Sequence, residues 1–139
     1  MIRQLAHICF FTEDLNAMIK FYNEILGFQI KFTLNNDEGI SFGYYFECGN
    51  STFIEVFDRE LANKQWGGSS EKFIRGNRFQ HHCFEVTGLN ELKAKLECKG
   101  LKVSEITTGM DHSRQAWIAD PDGNPIELME YTDKSLQIQ

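Results

Sequence analysis

Several features that would assign the chain to a large protein class are missing from its 139 residues. No apolar run approaches the roughly 20 residues that span a bilayer. The N-terminal sequence MIRQLAHICFF lacks the apolar stretch and cleavage site of a signal peptide. No basic patch stands out, and the net charge is −6. Neither a membrane nor a nucleic acid is therefore an expected partner.

The four cysteines form no CxxC pair. Without an export signal we expect free thiols in a reducing compartment, and hence a cytoplasmic protein. The length suits one domain, and 42% hydrophobic with 24% charged residues is ordinary for a globular protein. We therefore predict a single domain over residues 1–139. The cysteines are Cys9, Cys48, Cys83 and Cys98.

The first half of the chain predicts a strand, a helix and three more strands. Residues 3–11 alternate as a strand does. Apolar side chains from Leu15 to Leu26 recur every three to four residues, which indicates a helix. Thr12 or Asp14 can cap its start, and a glycine follows its end. The three strands are predicted over residues 28–34, 40–48 and 51–57.

The same order returns after a polar segment, residues 59–78, that we interpret as a linker. A strand is predicted over 79–86 and a helix over 89–98. The later strands are predicted over residues 101–106, 114–119 and 125–131. The chain is therefore predicted to be α+β, with two tandem βαβββ modules at about residues 1–58 and 79–133.

Individual residues support the repeat. The sequence HICF at 7–10 matches HHCF at 81–84, and IEV at 54–56 matches IEL at 126–128. Each module thus has one histidine on its first strand and one glutamate on its last. Glu55 lies on one strand face with two phenylalanines, where a carboxylate is costly to bury unless it is paired or bound to a metal.

Two imidazoles and two carboxylates suit a borderline divalent ion: zinc, nickel, cobalt, manganese or iron. We predict one such ion, held by His7, Glu55, His81 and Glu127. The register favours His81 over His82, which then points to the opposite face. A His/Cys ligand set that uses Cys9 and Cys83 is an alternative, but we prefer these cysteines as small core fillers. A duplication that has lost its metal would leave the same pattern.

The segments HICFFTEDLNAMIKFYNEILGF, FIEVF, HHCFEVTGLNELKAKLECKGL and DPDGNPIELME resemble the vicinal oxygen chelate superfamily. This superfamily includes glyoxalase I, bleomycin-resistance proteins and extradiol dioxygenases. The resemblance implies paired βαβββ modules that form an open barrel around a metal site. It places the metal ligands at the first and last strand of each module. It also implies that modules pair within a chain or across a dimer, and we expect a homodimer.

The ligand set is similar to that of bacterial glyoxalase I, which implies a lyase or isomerase that removes a proton beside a carbonyl of a small substrate. Glu55 and Glu127 are the candidate catalytic bases. Arg59 stands where glyoxalase I has a glutathione-binding asparagine, so the pattern departs from glutathione use. The alternatives are an iron(II) extradiol-type dioxygenase that uses His7, His81 and Glu127, and a non-catalytic protein that binds a small molecule such as an antibiotic. Four arginines are candidates for holding an anion: Arg59, Arg75, Arg78 and Arg114.

Overall fold

A computed structural model describes residues 3–68, 71 and 79–139 of the chain. The chain divides into two compact units, residues 1–74 (unit 1) and residues 75–139 (unit 2). Each unit contains one βαβββ module, so the predicted α+β class and the two modules are confirmed. Within the described residues, no helix is long and apolar enough to cross a membrane.

Unit 1 has one four-stranded sheet in the order β1-β4-β3-β2. β1 is parallel to β4, and the other neighbours are antiparallel. The Asp14 side chain accepts a hydrogen bond from the Ala17 N–H at 2.9 Å, so one of the two candidate caps begins the first helix. The elements are β1 (His7–Thr12), α1 (Leu15–Ile19) with a π-helical continuation (Lys20–Ile25), β2 (Gln29–Asn35), β3 (Ser41–Gly49), β4 (Thr52–Asp58) and α2 (Arg59–Trp66).

The sheet of unit 1 has two different faces because strand side chains alternate. One face packs on the first helix, where the Tyr22 ring lies 5.4 Å from that of Phe46, beside buried Ile54 and Val56. Burying such side chains stabilises the unit by roughly 1.5–3 kcal/mol each. The helix covers only this face. Glu55 therefore projects from the other face of the same strand.

Unit 2 repeats the topology with the strand order β5-β8-β7-β6. Its β5 and β8 are parallel, and α3 packs on β7 and β8 with Leu89 and Leu96 buried. The Glu130 carboxylate from β8 accepts hydrogen bonds from the first backbone N–H groups of α3. The elements are β5 (His82–Glu85), α3 (Leu89–Cys98), β6 (Thr107–Thr108), β7 (Arg114–Ala119), β8 (Pro125–Glu130) and a short 3₁₀ turn (Leu136–Ile138).

The predicted strand over 101–106 is wrong, because ladder pairing to β7 starts only at Thr107. Ser104 explains the difference. Its N–H donates to the Trp117 carbonyl, but its own hydroxyl, rather than a backbone carbonyl, accepts from the Trp117 N–H. The predicted linker 59–78 also contains α2, which Asp58 caps. Residues 69, 70 and 72–78 of that linker lie outside the described residues.

Candidate metal centre

Unit 1 brings His7 and Glu55 together on the sheet face that the first helix leaves open. His7 begins β1, and the parallel register places Cys9 opposite Glu55 of β4. The Nδ1 atom of His7 is 3.1 Å from Oε1 of Glu55. The His7 side chain is 51% exposed, whereas that of Glu55 is 6% exposed. A buried carboxylate thus lies beside an imidazole that solvent reaches.

Unit 2 repeats this arrangement with His81 and Glu127. Nε2 of His81 is 3.3 Å from Oε2 of Glu127, with the two side chains 39% and 8% exposed. Cys83 lies opposite Glu127 on β5, and Trp117 lies opposite it on β7. The Trp117 ring meets the His81 ring edge-on, with the centroids 4.9 Å apart. Both units therefore present one exposed imidazole next to one buried carboxylate.

Each carboxylate also has a cysteine thiol as a cross-strand neighbour. Cys9 lies opposite Glu55, and Cys83 lies opposite Glu127. The two cysteines are exposed as whole residues, so they are not the core fillers that we expected. Loss of water around the sulfur on the sheet face, and then the nearby carboxylate, raises the pKa of Cys9 to about 11 and that of Cys83 to about 12. With these raised pKa values both thiols keep their protons at neutral pH, so each can donate a hydrogen bond.

Tyr45 is a second neighbour of Glu55, and the sequence did not reveal it. The antiparallel register of β3 and β4 places Tyr45 opposite Glu55, so that its hydroxyl is a potential donor to this carboxylate. Partial desolvation, followed by the charge of Glu55, raises the pKa of Tyr45 to about 12. The ring stacks on Phe32 at 4.0 Å and meets Phe53 and Phe57 edge-on. The phenol ring is therefore packed between aromatic neighbours on the sheet face that carries Glu55.

The donor chemistry of both pairs fits a divalent ion of the borderline class. An imidazole nitrogen and a carboxylate oxygen are ligands that zinc, nickel, cobalt, manganese and iron(II) accept. In the part of the chain that the structure describes, no group of three or more His, Cys, Asp or Glu side chains is arranged to hold a metal. The described geometry therefore consists of two separate His–Glu pairs, one in each unit.

A model of the Glyoxalase/Bleomycin resistance protein/Dioxygenase superfamily matches residues 4–128. The chain belongs to this superfamily. It is 28% identical over 135 residues to a Synechocystis sp. protein named "Probable lactoylglutathione lyase", covering 94% of this chain and 97% of that protein. It is 32% identical over 136 residues to YwbC of Bacillus subtilis, covering 94% and 99%. The crystal structure of SMU.1112c has the same fold, with a TM-score of 0.75 and 22% identity over 94% of this chain and all of that one.

His82 lies on the face opposite His81, as the sequence predicted. It is 5% exposed and contacts the rings of Phe79 and Phe84. Burial, and to a lesser extent the charge of His81, lowers the pKa of His82 to about 4. His82 is therefore a neutral side chain of the interior at physiological pH.

Two of the four arginines considered as anion binders already have protein partners. Arg59 places a guanidinium nitrogen 2.6 Å from a carboxylate oxygen of Glu13 and donates to a backbone carbonyl. Arg114 pairs with Glu130, the same residue that caps α3. Both guanidinium groups are therefore already paired with carboxylates of the chain. The other two, Arg75 and Arg78, lie outside the described residues.

Proposed function

We propose that this superfamily member is a divalent-metal-dependent lyase or isomerase that removes a proton beside a carbonyl group of a small substrate. The repeated pair of an exposed imidazole and a buried carboxylate carries the proposal. A carboxylate is costly to bury, and the burial of two carboxylates at matched positions indicates that both have the same function. The name of the Synechocystis relative supports a lyase. The proposed ligands of one zinc, nickel, cobalt, manganese or iron ion are His7, Glu55, His81 and Glu127.

Each unit supplies two donors, whereas catalytic ions of this class are held by three or more protein ligands. Two of the four proposed ligands come from each module, and we propose that these modules belong to one chain or to the two chains of a homodimer. Mixing His7→Ala protein with His81→Ala protein distinguishes these cases. If the site is shared across a dimer, mixed dimers regain one intact site. If the site lies within one chain, neither partner can restore binding, because every chain lacks one ligand.

The bound metal would supply a Lewis acid that polarises the substrate carbonyl and acidifies the neighbouring carbon. The carboxylates of Glu55 and Glu127 are the candidate bases, because both are buried and both are among the proposed metal ligands. One of them takes the proton on an Oε atom and returns it to the substrate. His7 and His81 orient the carboxylates at about 3 Å, and their exposed edges leave an approach for the substrate.

We propose a substrate other than glutathione adducts. Arg59 stands where the glyoxalase I pattern has an asparagine, and its guanidinium is engaged by Glu13. A small oxygen-chelating molecule that needs no such contact fits better. Candidates for direct comparison are 2-oxo acids and acyl-CoA esters, with a glutathione hemithioacetal as the substrate that this proposal expects to fail.

Metal analysis and solvent deuterium exchange test the proposal together. We expect zinc, nickel, cobalt or manganese in the purified protein, and NMR-detected exchange of the C–H beside the substrate carbonyl. Glu55→Gln and Glu127→Gln should each remove exchange, whereas Glu47→Gln, an exposed residue paired with Lys31, should not. Oxygen-sensitive iron with oxygen uptake would support the dioxygenase instead. Absence of any bound metal would support the non-catalytic binding protein.

A further inference from the structure

We infer that Tyr45 and Cys9 are positioning residues for Glu55 and that Cys83 is a positioning residue for Glu127, so that the two halves of the proposed metal site hold their carboxylates unequally. This inference rests on the proposed metal site and goes beyond its four ligands. It concerns which of the chain's own side chains fix the ligands before a metal arrives.

In unit 1 two strands deliver a donor to the same carboxylate. Glu55 lies on β4 between β1 and β3, with Cys9 opposite it on one side and Tyr45 opposite it on the other. Both side chains share its sheet face, and each ends in a group that can donate a hydrogen bond to a carboxylate. Phe32 and Phe53 pack against the phenol ring. The Glu55 carboxylate therefore has a thiol, a hydroxyl and the His7 imidazole as its neighbours on this face.

Unit 2 has a cysteine at the position that corresponds to Cys9, but it has no tyrosine at the position that corresponds to Tyr45. Cys83 lies opposite Glu127 as Cys9 lies opposite Glu55. The position that corresponds to Tyr45 is occupied by Trp117, which is also opposite the glutamate. Its indole ring packs against His81. The strand that carries the residue opposite the glutamate, β3 or β7, thus contacts the carboxylate in unit 1 and the imidazole in unit 2.

Donors to a metal-binding carboxylate matter because they fix the oxygen that faces the ion. Loss of such a partner typically weakens metal binding or activity by about 10- to 100-fold. We therefore expect Tyr45→Phe to weaken metal binding about tenfold, since it removes one hydroxyl and keeps the packed ring. The expected loss for Cys9→Ala and for Cys83→Ala is of similar size.

The chain offers a matched control for each change. Tyr44 precedes Tyr45 on the same strand but faces Val56 on the opposite side of the sheet. Cys48 is a thiol of unit 1 whose partner is the Phe46 carbonyl. Chelator competition with Co²⁺ and Zn²⁺ on the full chain measures affinity without any substrate. Thermal unfolding of the metal-free variants reports whether a change acts through folding.

The inference predicts weaker binding for Tyr45→Phe, Cys9→Ala and Cys83→Ala, and wild-type binding for the Tyr44→Phe and Cys48→Ala controls. Cys9→Ser keeps a donor and should regain most of the affinity that Cys9→Ala loses, which a packing role would not produce. Equal metal affinity of Tyr45→Phe and Tyr44→Phe would overturn the inference. If Glu55→Gln still weakened metal binding in that case, the proposed metal site itself would remain supported. A wild-type chain that binds neither ion would overturn both.

Discussion

Replacing Gly43 with alanine should destabilise unit 1 through a single clash. A Cβ at position 43 would lie 2.2 Å from Cε1 and 2.5 Å from Cδ1 of Phe57, where ordinary contact begins at 3.4 Å. The ring would have to retreat by about 1 Å. It is 3% exposed and has Phe42, Trp66 and Tyr45 around it at centroid distances of 5.2–6.1 Å. Little free space is available to it.

The magnitude follows from two opposing contributions. Overpacking of this kind costs about 1–3 kcal/mol. Gly43 does not have a positive φ, so alanine recovers up to about 1 kcal/mol by restricting the unfolded chain. We expect a net loss of about 1–2 kcal/mol, which lowers the urea midpoint by roughly half to one molar.

A double-mutant cycle isolates the clash. In a Phe57→Leu background the space next to position 43 is larger, so Gly43→Ala should cost at least about 1 kcal/mol less than in the wild type. The assay is equilibrium urea unfolding followed by circular dichroism. Equal costs in both backgrounds, or a stabilised Gly43→Ala protein, would show that no clash with Phe57 occurs.

Two further changes test the fold of unit 2. Glu130→Ala removes the carboxylate that accepts from the Gly88 and Leu89 N–H groups at 2.6 and 3.1 Å, and should cost about 1–2 kcal/mol in urea unfolding; an unchanged midpoint would show that water replaces this cap without loss. His82 has a folded pKa of about 4 against 6.5 in the unfolded chain, so the unfolded state binds the proton first. Stability is then fully present above pH 6.5 and falls by up to about 3 kcal/mol as the pH drops to 4. In the metal-free protein His82→Leu should remove this part of the pH dependence, and identical pH profiles would contradict the assignment.

The sequence was enough to predict the two modules because helix and strand periods recur with matching residues. The same alternation placed Glu55 and Glu127 on faces that could hold a buried ligand. It also separated His81 from His82, since adjacent strand residues point to opposite faces. The predicted strand over residues 101–106 was wrong because the Ser104 hydroxyl takes the place of a backbone acceptor. The alternation of apolar and polar residues does not reveal such a replacement.

The role of Tyr45 depended on a strand register that the sequence does not show. The hairpin closes with Gly49 opposite Thr52, and a regular ladder from there would place Phe46 opposite Glu55. A one-residue irregularity between Glu47 and Gly49 shifts the pairing, so that Tyr45 meets Glu55 instead. The donors to the carboxylate could therefore be identified only once the strands were paired.

We propose that His7 and His81, one from each module, both bind the metal. Calorimetric titration of the metal-free chain with Co²⁺ tests this proposal, using His7→Ala, His81→Ala and, as a control histidine outside both pairs, His112→Ala. We expect one ion per wild-type chain, binding lost in each of the first two variants, and wild-type binding in the third. Unchanged affinity in His7→Ala or in His81→Ala would contradict the four-ligand site.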